Sequence, residues 1–192
     1  MDVKVSKYMT QYYRENRYAA SADTRQGYRA TELMSADQKA IKKALKDLSE
    51  YDYEKGDSAE LVKKVQAFAE TYNLYMESSG ELDDASLSSY KSKLKKFAKE
   101  HAAMLEEIGV NVQGNGKLKI NEESLWKTTR NKVGKLFGES ADYGKGLEKL
   151  MKKLDNAVRR NGIGQAQGKQ EDGELYQAVQ DSLHNSQINV SV

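Results

Sequence analysis

The pattern of apolar and polar positions predicts helices through the middle of the chain. Ser35 and Gln38 have capping-box spacing, which predicts a first helix from Ser35 to about Tyr53. Asp57 and Glu60 repeat this spacing and predict a second helix, which ends at Gly80. The apolar face of the first helix is Ile41, Ala44, Leu45 and Leu48, and the second has a heptad-like seam of Leu61, Val65, Phe68, Tyr72 and Tyr75.

Further helical stripes follow the second helix. The longest predicts a third helix with the seam Leu87, Tyr90, Leu94, Phe97, His101, Met104 and Ile108. A fourth helix is predicted from Leu125, Thr129, Val133 and Leu136, and a fifth from Leu147, Leu150, Leu154, Ala157 and Val158. Seams of this kind, separated by short loops, predict helices that pack in antiparallel pairs.

Between the third and fourth helices the period changes to two, which predicts a β-hairpin. Gly109 follows the helix where a left-handed residue is favoured, and two alternating stretches then flank the loop 114–116. A three-residue loop pairs Val112 with Leu118 and Val110 with Ile120 on one apolar face, and it requires a left-handed Gly116. Asn121 is then the predicted cap of the next helix.

These elements predict a mainly α fold: an up-down helical bundle of about five coiled-coil-like helices, one inserted β-hairpin at about 110–120, and flexible termini. We divide the chain into a polar arm rich in Tyr and Arg (1–34), the bundle with its hairpin (35–160), a Gly- and Gln-rich linker (161–173), and a last segment (174–192) with a short helix and a possible terminal strand.

The composition narrows the classes of function. The chain has 31 Lys and Arg against 29 Asp and Glu, so its net charge of +2 predicts no general attraction to nucleic acid. It has no Cys and two His, and no group of titratable residues has the spacing of a metal site or a catalytic centre. We therefore expect no catalytic residues, no cofactor and no metal. No stretch is apolar for long enough to span a membrane, and the N-terminus lacks the pattern of a signal peptide.

Three regions have the residue types of a protein interface. In the arm these are Tyr12, Tyr13, Arg14 and Arg17, which either bind a partner or belong to a frayed tail that lies partly on the bundle. The sole tryptophan, Trp126, either plugs the end of the bundle, which we favour, or anchors a partner. The apolar residues of the last strand, Ile188, Val190 and Val192, either extend a hairpin edge or belong to a disordered tail.

The order of features over residues 60–155 resembles the carboxy-terminal helical domain of the flagellar filament cap family, hook-associated protein 2. The features are the pair Tyr72 and Asn73, the stretch 105–110, the turn and strand 115–120, the acidic start 121–125, the pair Leu136 and Phe137, and the last helix 146–154. The resemblance implies a non-enzymatic structural protein that leaves the cell through the flagellar type III export channel and associates with flagellar components or with itself. The alternative is a cytoplasmic helical adaptor or chaperone unrelated to flagella.

Overall fold

The computed structural model of the protein describes residues 8–20, 22–82 and 87–160. Two 3-10 turns come first, Met9–Gln11 and Arg17–Ala20, and the helices before the hairpin are α1 (Ala22–Arg25), α2 (Ala30–Ser49), α3 (Ser58–Gly80), α4 (Ser88–Glu100) and α5 (Ala102–Glu106). The strands are β1 (Val110–Val112) and β2 (Leu118–Ile120), and α6 (Glu122–Lys127), α7 (Arg130–Phe137) and α8 (Asp142–Arg160) follow. The described residues therefore form the predicted helical bundle with one inserted antiparallel hairpin.

Helices α2 and α3 form an antiparallel pair. Asp57 caps α3 as predicted, because its carboxylate accepts a hydrogen bond of 2.7 Å from the Glu60 N–H. Near the other end of the pair, Ser78 of α3 bonds to Asp37 of α2. Helix α8 packs on α2, where the Gln38 side chain donates to the carbonyl of Met151. The buried faces of these helices supply much of the core.

An aromatic cluster joins four of the helices. The Tyr143 ring of α8 stacks on Phe97 of α4, with 5.4 Å between ring centroids, and meets the edge of Phe137 of α7 at 5.5 Å. Phe68 of α3 lies 4.8 Å from Phe137. The hydroxyl of Tyr143 is buried and finds no hydrogen-bond partner in the described part of the protein. This cluster holds the helices on either side of the hairpin together.

The hairpin has the predicted register and turn. Val110 pairs with Ile120 and Val112 with Leu118. Gly116 has φ +91° and Gly109 has φ +80°, so both glycines adopt the left-handed conformation that the sequence required. A Cβ at Gly109 would lie 2.5 Å from the backbone nitrogen of Leu125, which also requires glycine at this position. Asn121 caps α6 by accepting a hydrogen bond from the Ser124 N–H.

One edge of the hairpin is closed by a side chain. The Asn73 amide of α3 donates to the carbonyl oxygen of Leu118 at 2.7 Å and accepts from its N–H at 2.7 Å. Leu118 lies in a pair that makes no hydrogen bonds across the hairpin, so these backbone groups point away from β1. The Asn73 amide therefore takes the place that a third strand would occupy at β2.

Three of the predicted helices differ from the structure. The first helix begins at Ala30 instead of Ser35, because Arg29 is extended and its N–H bonds to the Glu32 carboxylate. It ends at Ser49 instead of about Tyr53. The third predicted helix is broken at His101, whose ψ is 10°. The fourth is divided at Thr128 and Thr129, which have extended ψ values of 151° and 146°. Branching at Cβ makes threonine a weak helix former, consistent with the division there.

The break at His101 changes which residues are buried. Leu94 and Ile108 lie in the core as predicted, whereas Phe97 and His101 are half-buried and Met104 is exposed. The His101 imidazole packs on the Phe97 ring at 4.3 Å between centroids, and its Nδ1 lies 2.9 Å from the Phe97 carbonyl oxygen. His101 is therefore a packed residue of the helix junction, as expected from its position in the seam.

Candidate interaction surfaces

A buried carboxylate anchors the chain before α2, which we call the N-terminal segment (residues 8–20 and 22–29). Asp37 lies on the inner face of α2 and is 0% exposed. Its Oδ1 accepts hydrogen bonds from the Tyr13 hydroxyl and from Nη1 of Arg25, each at 2.8 Å. Its Oδ2 accepts from Nη2 of Arg25 and from the Ser78 hydroxyl, each at 2.7 Å. The N-terminal segment, α2 and α3 therefore meet at one carboxylate.

The charge of Arg25 compensates the buried charge of Asp37. Burial opposes ionisation of the guanidinium, but its hydrogen bonds to Asp37 and the attraction of that carboxylate outweigh this effect and raise the Arg25 pKa. Arg25 also donates to the carbonyl oxygen of Ala19 at 2.8 Å, which fixes the turn that precedes α1. The bidentate geometry suits Arg and would not suit Lys.

Two of the candidate interface residues, Tyr12 and Tyr13, lie in the core and not on the surface. Tyr12 and Tyr13 are 5% and 1% exposed, so they pack inside the protein and offer no surface to a partner. Lys43 of α2 lies 5.8 Å from the centre of the Tyr12 ring and donates to the carbonyl oxygen of Gln11. The segment is fixed on its own bundle because these rings and Met9 bury apolar area there.

Arg14 and Arg17 remain on the surface, where they line an open cleft. The cleft has a volume of about 470 Å³, and we name it the arginine cleft after its lining residues Thr10, Gln11, Arg14, Arg17 and Ala20. Within the described ranges, neither guanidinium forms an ion pair. Two guanidinium groups in one cleft can donate hydrogen bonds to carboxylate or phosphate oxygens.

Trp126 is exposed, contrary to the expectation that it plugs the bundle. Its exposed fraction is 56%, whereas the preceding Leu125 is 1% exposed. The two residues are adjacent on α6, so the helix that buries Leu125 directs the indole outward. The other large apolar residues exposed in the described part of the chain are Tyr28 and Met104.

Glu70 of α3 is a partly buried carboxylate. Its carboxylate is half-buried, and no hydrogen bond or ion pair to it is found among the described residues. Burial raises the pKa of this carboxyl. A partly buried carboxylate that is ionised and has no compensating charge destabilises the folded protein at neutral pH.

The predicted interface residues of the last strand are not among the residues that the structure describes. Ile188, Val190 and Val192 lie outside the described residues, as do the linker and the last segment. The described part holds no group of three or more His, Cys, Asp or Glu residues that could bind a metal ion. None of its helices combines the length and apolarity that crossing a membrane requires.

The Asp37 anchor was missed by the sequence reasoning, although the sequence carries a signal for it. Asp37 stands three residues after Met34 and four before Ile41, so it occupies an apolar-stripe position of α2. A carboxylate at such a position needs a buried cationic or hydrogen-bonding partner. The identity of that partner depends on the fold of the N-terminal segment, which has no clear periodicity.

Comparisons with protein-family models, curated proteins and solved structures give no match. The resemblance to the flagellar cap family therefore stays a prediction from the order of sequence features.

Proposed function

We propose that the protein is a non-enzymatic interaction protein that binds a protein partner, or another copy of itself, through the surface around Trp126. The exposed indole is the observation that carries this proposal. Tryptophan is enriched among the residues that contribute most to protein–protein binding, because its ring buries a large area at a small cost in conformational entropy.

The position of Trp126 is fixed before any partner binds. Helix α6 is capped by Asn121 at its start and is held to the core by Leu125. The close contact between Gly109 and the backbone of Leu125 joins the same helix to the entrance of the hairpin. A side chain on a fixed backbone loses less freedom on binding, which favours association.

The apolar area left on Trp126 is large enough to matter for affinity. An indole buries roughly 200 Å² when fully covered, so covering the exposed 56% would contribute about 2–3 kcal/mol. This contribution corresponds to a change in Kd of about 30- to 150-fold. It cannot hold a complex alone, and a partner must supply further contacts around α6.

We propose that the partner is a flagellar axial component or a second copy of the chain. Support comes from the order of features over residues 60–155 that resembles the helical domain of the cap family. The alternative is a cytoplasmic adaptor or chaperone. The two proposals predict different genes beside the coding sequence. Flagellar genes beside the coding sequence would favour the first proposal, and their absence the second.

The test compares wild type with Trp126→Ala and with the control Tyr28→Ala, which removes another exposed aromatic side chain. Sedimentation velocity over a range of concentrations measures self-association, and titration with the purified hook-associated and filament proteins of the same organism measures partner binding. We expect Trp126→Ala to weaken whichever association occurs by at least tenfold, and Tyr28→Ala to leave it unchanged. No association by wild type in either assay, or equal association by both variants, would contradict the proposal.

A further inference from the structure

The arginine cleft is a second surface with its own chemistry. Arg14 and Arg17 are exposed in the same cleft, and neither has an acidic partner among the described residues. Glu15 lies between them in the sequence and is exposed, but it forms no ion pair with either guanidinium. In the described part of the chain, therefore, no acidic group compensates either positive charge.

The backbone that carries these arginines is fixed from both sides. Before Arg14, the side chains of Tyr12 and Tyr13 are buried, and the Tyr13 hydroxyl bonds to Asp37. After Arg17, Ala19 is buried and its carbonyl oxygen accepts a hydrogen bond from Arg25. A ligand in the cleft therefore has to order side chains but not the backbone, so less binding free energy is lost.

The lining of the cleft indicates the chemical class of the ligand. The guanidinium groups match the oxygens of a carboxylate, and Gln11 adds a neutral polar side chain. The methyl groups of Thr10 and Ala20 add apolar wall. A volume of about 470 Å³ lies within the usual range for small-ligand sites and would hold one or two side chains of a peptide.

We propose that the arginine cleft binds an acidic peptide segment of a protein partner, with a Glu or Asp carboxylate between Arg14 and Arg17 and a neighbouring aliphatic side chain against Ala20. A nucleic acid is the less suitable ligand, because a net charge of +2 provides little of the general attraction on which phosphate-backbone binding depends. The inference goes beyond the Trp126 surface and does not require that surface to bind anything.

The test uses the full ¹⁵N-labelled chain and two blocked peptides, acetyl-Leu-Glu-Leu-Glu-amide and acetyl-Leu-Gln-Leu-Gln-amide. Titrations at constant ionic strength follow the backbone amides of residues 10–20 and the arginine Nε–H signals. We expect saturable shifts with the glutamate peptide and binding at least tenfold weaker with the glutamine peptide. Arg14→Gln and Arg17→Gln should each weaken binding of the glutamate peptide by about tenfold, since each removes one charged hydrogen-bonding group.

The control variant Lys119→Gln removes one positive charge from an exposed position of β2 and should leave binding unchanged. Circular dichroism melting checks that each variant is folded. Equal binding of the two peptides, or unchanged binding by both arginine variants, would overturn the proposal. Inorganic phosphate is titrated separately, and tighter binding of phosphate than of the glutamate peptide would also overturn it in favour of a phosphate site. None of these results depends on association through Trp126.

Discussion

Removal of Arg25 should destabilise the protein far more than removal of a surface cation. In Arg25→Met the Asp37 carboxylate stays fully buried, but it loses two of its four hydrogen bonds and its compensating charge. Breaking a buried ion pair in this way typically costs about 3–5 kcal/mol, because the remaining charge has no partner. We expect a loss of this size in the free energy of unfolding, measured by urea titration with circular dichroism.

The control is Lys46→Met, since Lys46 pairs with Glu50 on the surface at 3.7 Å and both side chains are more than 60% exposed. That pair should contribute less than about 0.5 kcal/mol. A double variant, Arg25→Met with Asp37→Leu, tests whether the two charges interact. Its loss should be smaller than the sum of the single losses by about 1.5 kcal/mol or more. If the losses add to within about 0.5 kcal/mol, the ion pair does not anchor the segment.

Four further substitutions test other contacts. Tyr13→Phe should lower the free energy of unfolding by about 1.5–3 kcal/mol, because it removes a hydrogen bond to a charged group. Tyr143→Phe should be neutral or stabilising, because its buried hydroxyl has no partner in the described structure. Equal urea midpoints for the two variants would contradict this contrast. Asn73→Ala should lower hydrogen-exchange protection of the β2 amides, and unchanged protection would show that the amide is dispensable. Glu70→Gln should stabilise the protein at pH 7. The gain in stability should vanish below the ordinary pKa of 4.5, where the carboxyl is protonated in both the folded and the unfolded state. The control Glu139→Gln, at an exposed position, should show no such gain at pH 7.

The sign of the Glu70 effect follows from its raised pKa. Between the ordinary pKa and the raised one, the folded protein binds more protons than the unfolded chain, so stability falls as the pH increases. Above the raised pKa the buried carboxylate is ionised, and its full cost is present. A gain for Glu70→Gln that persisted at pH 3 would have a different origin.

The parts of the fold that depend on local chemistry could be predicted from the sequence. The hairpin register followed from the alternation around residues 114–116, and Gly109, Gly116 and Asn121 have the conformations or caps that their residue types favour. These features are decided within a few residues of chain. Predicting the aromatic cluster would have required the relative positions of four helices, and the apolar seams alone do not determine these positions.

The interaction surfaces were less predictable because exposure depends on tertiary packing. Tyr12 and Arg14 occur in the same polar sequence, yet the tyrosine is buried and the arginine lies on the surface. Trp126 was expected to plug the bundle on the basis of its size, but the residue of α6 that is buried is Leu125, and the indole is 56% exposed. The predicted fourth helix ran through Thr128 and Thr129, because the apolar spacing was given more weight than the low helix propensity of these two threonines.

The contact between Asn73 and Leu118 has a consequence for the order of folding. The two residues are 45 positions apart, whereas the hairpin strands are separated by a short turn. A hairpin can close within microseconds, but two strands alone are marginally stable in water. We therefore expect β1 and β2 to form and dissolve repeatedly until α3 docks and its amide closes the edge of β2. Mutations in α3 should then slow the appearance of the hairpin in a refolding experiment, although they leave its own sequence unchanged.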